Sequence, residues 1–470
     1  MMSEPTQGHL RRRVPPSRIV GLAVAFVSAL AIPASAQQSG QERRGQSIVR
    51  DAETEDLLRD YAVPIFQAAK VNAKATKIIL VNDRSFNAFV ANGQKIFINV
   101  GALLDAETPG EVIGVIAHET GHIAGGHLAR LRQQVANAKI LSVIGMLAGA
   151  GAMVGAANSG SGVGNTGTGA MGILTGGQEL VRRNLLAYQR SEEQAADAAA
   201  LRYLAATGQS PRGMLTTFAR FADSGLFRSR AVDPYLISHP LPSERISQLE
   251  RLAKQSPHFG RKDSPELQAR HDLMRAKLAG FVERPDTVLR RYPPSNTSAP
   301  ARYARAVLAY RSGRLSEALA AIDGLVAEQP SNAYFHELKG QALLESGRAR
   351  EAVAPLRRAV SLAPGGIPIR VMLGQALLAT GDADAAIREL SITTQREPES
   401  PDGFRFLAMA YGRKGDIGRA ELASAQAFFN SADLRNAQTQ ASRAMAKLKP
   451  GSPAYLKAED ILNYRPSQDN

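Results

Sequence analysis

Gly313, Gly347, Gly381 and Gly415 stand 34 residues apart, and two further series keep the same step: Ala318, Ala352, Ala386 and Ala420, then Pro330, Pro364 and Pro398. Three registers with one period define a structural repeat, and each unit is long enough for two short helices. Gly permits the tight turn between them, Ala lets them pack closely, and Pro closes the second helix. A single unit cannot bury its apolar face, so the units must stack side by side. Three clear units and a fourth run from about 301 to 434, and residues 301–470 are predicted to form an all-α superhelix with helical caps. The period and its small residues resemble tetratricopeptide repeats, with Trp missing from the usual aromatic position.

Ahead of the repeats, residues 256–300 read as a helical connector and residues 37–255 as a mostly helical α+β domain with a small sheet. A helix is expected around EDLLRDYAVPIFQAAK. TKIILVND and QKIFINVG look like two strands joined through a turn at Asn92 and Gly93. Helices follow from about Glu111 to Ala138 and from Glu179 to Ala206. Between them the uncharged run ILSVIGMLAGAGAMVGAA leads into NSGSGVGNTGTGAMG, and this insertion, residues 140–178, is expected to be a packed helix followed by a lid. The alternative, a membrane-inserted hairpin at 140–157, is weakened by the glycines in that run.

At the N-terminus, Arg11, Arg12, Arg13 and Arg18 precede the apolar run IVGLAVAFVSALAI and then PASA. This is the pattern of a secretory signal cleaved near Ala36, so residues 1–36 are expected to be removed and the protein to be periplasmic; an uncleaved anchor is the rival reading. The formal net charge of +14 suits peripheral contact with anionic membranes or acidic partners, but the basic residues are scattered and no nucleic-acid motif accompanies them. The chain has no cysteine, so a metal site must be built from His, Asp and Glu.

Such residues gather in GVIAHETGHIAGGH, residues 114–127. On a helix His118 and His122 project from one face and can meet one tetrahedral zinc ion, one per chain. Glu119 lies between them, placed to take a proton from water. The apolar run VIGVIA buries the helix, where an unpaired polar triplet would be costly. His127, nine residues after His118, falls on the opposite side unless Gly125 and Gly126 break the helix, and it reads as a hydrogen-bonded helix-end residue. A third ligand must come from elsewhere, and QRSEEQAADAAALRYL, residues 189–204, offers Glu193 and Asp197 four apart on one helix face. Glu193 is placed to reach the metal while Asp197 bonds the far nitrogen of a ligating histidine. Glu192 competes for the ligand role but points off that face.

HETGH followed by Glu193-Gln-Ala-Ala-Asp197 resembles metallopeptidase family 48, which includes the HtpX membrane protease and the CAAX prenyl protease. FNAFVANGQKIFINVGALL and SHPLPSERI resemble the segments flanking the site in that family. With a signal segment and C-terminal repeats, the chain is similar to the BepA-like periplasmic metalloproteases of Gram-negative bacteria. The resemblance implies that His118, His122 and Glu193 bind zinc, that Glu119 is general base and acid, and that Asp197 supports the ligands from behind. It also implies that His239 approaches the metal in a latent state or faces substrate in an active one, and that Arg245 pairs with buried carboxylates. The strand at Lys95–Val100 resembles the sheet edge along which an extended substrate lies. The expected function is a zinc-dependent endopeptidase that cleaves misfolded or misassembled outer-membrane proteins, the repeats recruiting clients or the assembly machinery. Two alternatives stand beside it: a periplasmic chaperone or scaffold with a latent zinc site, and an intramembrane protease spanning at 140–157.

Overall fold

A computed structural model describes residues 48–91, 93–134, 187–223, 239 and 243–466. The expected signal segment 1–36 and the insertion at 140–178 lie outside the described residues. No helix among the described residues is long and apolar enough to cross a membrane.

The fold is mostly helical around one four-stranded sheet. Strands β1 (Ile48–Val49), β2 (Lys77–Val81), β3 (Ala88–Ala91) and β4 (Lys95–Asn99) lie in the order β1-β2-β4-β3. This corrects the expected strand pair. A turn at residues 93–94, with Gly93 at φ +84°, leads from β3 into β4, whereas the TKIILVND and QKIFINVG strands lie parallel, Ile78 beside Ile96 and Leu80 beside Ile98. It also corrects the expected edge: β4 is interior, paired on both sides, and among the described residues the edges of the sheet are β1 and β3. AFVA is too short to show a period of its own, so the sequence hides it inside the connection.

Helix α1 (Ala52–Ala68) buries Leu57, Leu58, Tyr61 and Ile65 in the core beneath the sheet. After α2 (Val100–Asp105) comes α3 (Pro109–Gly125), which opens with Pro in its first turn and with the Glu111 carboxylate accepting the Thr108 backbone N–H at 3.2 Å. α3 stops where Gly126 takes a left-handed φ of +66°, so the expected continuous helix to Ala138 is broken and α4 (residues 127–134) starts afresh. α5 (residues 187–206) and α6 (Arg212–Asp223) then pack on α3, and α7 (Ser243–Lys254) packs on α6. Glycines set these approaches: a Cβ on Gly114 would lie 2.9 Å from the Met214 backbone nitrogen, and one on Gly213 would lie 2.2 Å from the Gly110 carbonyl carbon.

α8 (Pro265–Val282) and α9 (Pro285–Arg291) form the connector. Four helix pairs follow: α10 and α11 (Ala299–Arg311, Leu315–Glu328), α12 and α13 (Ala333–Glu345, Ala349–Leu362), α14 and α15 (Ile367–Ala379, Ala383–Arg396), α16 and α17 (Pro401–Lys414, Ile417–Asn430). α18 (Leu434–Met445) and α19 (Pro453–Asn463) cap the stack. All four turn glycines have φ between +73° and +89°, the conformation for which the repeat keeps them. Ala318, Ala352 and Ala386 are fully buried. Ala420 is only half-buried, and in that unit Gly418 makes the close contact, its missing Cβ leaving room for Leu448. Another 34-residue register does similar work. A Cβ on Gly340 would stand 2.4 Å from Leu356 Cγ, and one on Gly374 would stand 2.6 Å from Leu390 Cγ.

The repeats are bolted to the N-terminal domain by a buried ionic cluster. The Lys277 ammonium of α8 lies 2.6 Å from Asp51, 2.9 Å from Glu337 of α12 and 3.7 Å from Glu53 of α1. The Tyr303 hydroxyl of α10 donates to Glu53 at 3.0 Å. One cation cannot balance three buried carboxylates. Burial, helped by the neighbouring carboxylates and opposed by Lys277, pushes Glu53 up to about 8 and Glu337 up to about 7. Farther along, Arg50 pairs with Glu397 at 2.9 Å and Lys77 with Glu399 at 2.8 Å.

Two predictions follow from this packing. Gly374→Ala forces a methyl into Leu390 and should destabilise the protein by about 1–3 kcal/mol, measured by denaturant unfolding. Because Glu53 and Glu337 titrate higher folded than unfolded, their contribution is complete below about 4.3 and fades as pH rises through about 7 and 8. The melting temperature should therefore fall between about pH 5 and 8, and fall less in Glu53→Gln.

Candidate metal centre

α3 and α5 meet backbone to backbone. A Cβ on Gly121 would lie 2.8 Å from the Ala196 carbonyl oxygen and 3.0 Å from its Cα, so the fourth residue of HETGH must be glycine for this crossing. The approach brings Glu193 and Asp197, four residues apart on α5, onto the face of α3 that carries His118 and His122.

The donor atoms converge. His118 Nε2 stands 3.1 Å from His122 Nε2, 3.3 Å from Glu193 Oε2 and 3.3 Å from His239 Nδ1. His122 Nε2 is 3.3 Å from Glu193 Oε1, and His239 Nδ1 is 3.1 Å from both Glu193 oxygens. All four residues offer a ligand atom within a span of 4.8 Å. Four atoms bound about 2.0–2.1 Å from one tetrahedral ion stand roughly 3.3–3.4 Å from one another. The spacing fits. Nitrogen lone pairs and a carboxylate aimed at one point repel unless a cation lies among them, so the donor set suits a divalent metal.

Each histidine is held from behind. The Asp197 carboxylate lies 2.9 Å from His118 Nδ1 and is itself gripped by Arg245, at 2.6 Å through Nε and 2.8 Å through a second guanidinium nitrogen. Arg245 also reaches Glu193 at 2.8 Å. Burial opposes charge on His118, but the Asp197 and Glu193 carboxylates outweigh it and hold its pKa at about 9 without metal. Burial alone would raise Glu193; the charge of His239 and the bonds from His118, His122 and His239 instead hold it well below the usual carboxylate range. Asp197 is likewise kept low against burial by Arg245 and His118. His122 is pushed down, chiefly by burial.

Glu119 is fully buried, and neither carboxylate oxygen has a hydrogen-bond partner among the described residues. Its near neighbour is His239, whose Nε2 lies 3.4 Å from Oε1. An unsatisfied buried carboxylate costs stability and marks a group kept for chemistry. The same His239 Nε2 lies 3.2 Å from the Ala88 carbonyl on the β3 edge. His239 thus touches the metal-binding cluster, Glu119 and the sheet edge together.

His118, Glu119, His122, Glu193, Asp197, His239 and Arg245 fall in this one cluster. His127 is not among the converging donors. It lies behind His122, their Nδ1 atoms 2.8 Å apart, and its Nε2 is 2.8 Å from Glu192, which also binds Arg130 at 2.7 Å. Burial and the neighbouring His122 push His127 down to about 4. In the sequence Glu192 has no role beyond that of rival ligand; the Gly-Gly break before His127 is the signal that could have found its contact with His127. Ala88, on the edge strand facing His239, was also missed.

Comparison with known proteins agrees with this geometry. Residues 50–253 match Peptidase family M48, and residues 303–367 and 343–410 match tetratricopeptide repeat families. A Yersinia pestis protein named beta-barrel assembly-enhancing protease is 25% identical over 84% of this chain and 81% of its own length. The Escherichia coli protein of that name is 24% identical over 55% of this chain and 52% of its own, and a Vibrio cholerae relative is 26% identical over 62% and 59%. With the last two, the chain spans little more than half the length of the relative. Residues 50–253 are thus similar to Peptidase family M48, and residues 303–410 to tetratricopeptide repeats.

Proposed function

We propose that the protein is a zinc metalloendopeptidase of the cell envelope, of the type with HExxH plus a distant Glu, acting on misassembled outer-membrane proteins in the periplasm. The observation that carries this reading is the convergence of His118, His122 and Glu193 beside a buried Glu119 whose carboxylate oxygens have no hydrogen-bond partner among the described residues. These three residues would hold zinc, with His239 as a displaceable fourth. Bound zinc supplies Lewis-acid chemistry, polarising a scissile carbonyl and easing proton loss from water. Glu119 accepts that proton and delivers it to the leaving amine. Asp197 and Arg245 fix the ring of His118. The β3 edge, which pairs with a strand on one side among the described residues, offers pairing to an extended peptide with little demand on sequence. That substrate strand and His239 compete for the Ala88 carbonyl, so binding a client displaces the histidine from the site.

The names of the relatives motivate the choice of client, and the repeats, clamped to the catalytic domain through Lys277, would present clients or dock to assembly machinery. His239 closing the centre favours a second reading, a chaperone or scaffold with a latent site. A deletion strain complemented with Glu119→Gln separates the two: full rescue supports the scaffold, no rescue the peptidase.

Two measurements test the reading in vitro. Glu119→Gln should lower kcat for an unfolded protein substrate by roughly 10²–10⁴-fold while zinc content stays at the wild-type level; unchanged proteolysis rules out the mechanism. Chelation should abolish cleavage and added zinc restore it; activity that persists in the zinc-free protein excludes a metallopeptidase.

A further inference from the structure

His118 and His122 are ligands of the same kind, four residues apart, yet their outward nitrogens meet different partners. His118 Nδ1 meets a carboxylate directly. His122 Nδ1 meets another imidazole, that of His127, and the carboxylate of Glu192 stands one step farther out, on the far nitrogen of His127. Both carboxylates come from α5, and each has its own arginine, Arg245 for Asp197 and Arg130 for Glu192.

We propose that Glu192 and His127 form a relay that positions His122 for metal binding; the proposal rests on the reading of this cluster as a zinc centre. The tautomers permit only one arrangement compatible with that role. Glu192, an acceptor, takes the Nε2 proton of His127. The two Nδ1 atoms at 2.8 Å then share one proton, and with His127 Nδ1 left as acceptor it belongs to His122. His122 therefore carries its proton on Nδ1 and presents the Nε2 lone pair to the cluster. The opposite arrangement would put a proton on His122 Nε2, facing Glu193 and His118, and would block it as a ligand.

The backbone is built for this contact. α3 ends at Gly125, and the left-handed Gly126 turns the chain so that His127 folds back beneath the last turn. A Cβ on Gly125 would lie 2.1 Å from His127 Nε2, inside the ring's own volume. Glycine at 125 is therefore required by the position of the His127 ring, and not by the helix.

The test is the zinc dissociation constant of the full chain, from chelator competition, for wild type, His127→Ala, His127→Gln, Glu192→Gln, Gly125→Ala and the double variant His127→Ala/Glu192→Gln. His127→Ala should weaken zinc binding about 10–100-fold. Gly125→Ala, which displaces the ring without removing it, should weaken it in the same direction. His127→Gln, whose amide oxygen can accept from His122, should recover part of the loss. In the double variant the binding should match that of His127→Ala, because Glu192 acts through His127. Wild-type affinity in His127→Ala overturns the proposal, even where the zinc-free variant melts lower, as does a double variant weakened by the product of the single effects. Failure of the wild type to bind zinc instead removes the underlying reading.

Discussion

The centre depends on the crossing of two helices at zero side-chain clearance. Gly121 on α3 lies against the backbone of Ala196 on α5, and this approach sets three carboxylates, Glu192, Glu193 and Asp197, within reach of three imidazoles, His127, His122 and His118. A methyl at 121 would collide with the Ala196 carbonyl and move the helices apart. Burial then amplifies the electrostatics. With water excluded, each carboxylate must find a cation or a donor, and Arg245, Arg130 and the histidines supply them. Only Glu119 among these acids has no hydrogen-bond partner in the described residues.

The same logic operates at larger scale in the join between the catalytic domain and the repeats. Lys277 sits in the seam with Asp51 and Glu53 from the start of α1 and Glu337 from α12, and removing it would strand buried negative charge. At the sheet edge His239 makes a comparable bridge, since one imidazole contacts the His118 and Glu193 cluster through Nδ1 and the edge strand through Nε2.

Much of this was legible in sequence where the signal is local or periodic. The repeat registers at Gly313 and Ala318 mark turns and contacts that recur at each copy, and HETGH and the Glu193 and Asp197 pair each state a helix face within five residues. Pairing order in the sheet was not legible, because only tertiary contact sets KIILV and KIFIN side by side in parallel as the two interior strands; the short AFVA strand carried an edge unseen. The Lys277 cluster unites residues more than 280 positions apart, and no spacing rule links them. His127 was legible only halfway. Gly125 and Gly126 announced a break, but where the chain went after it depended on Glu192, which is distant in sequence and reached across the helix crossing.

The most direct test is the zinc stoichiometry of the purified chain and of Glu193→Ala, measured by elemental analysis together with X-ray absorption at the zinc edge. The account predicts one zinc per wild-type chain, bound by imidazole nitrogens and a carboxylate, and loss of that zinc in Glu193→Ala with the helical content unchanged. A Glu193→Ala chain that keeps one tightly bound zinc in an unaltered coordination sphere would contradict it.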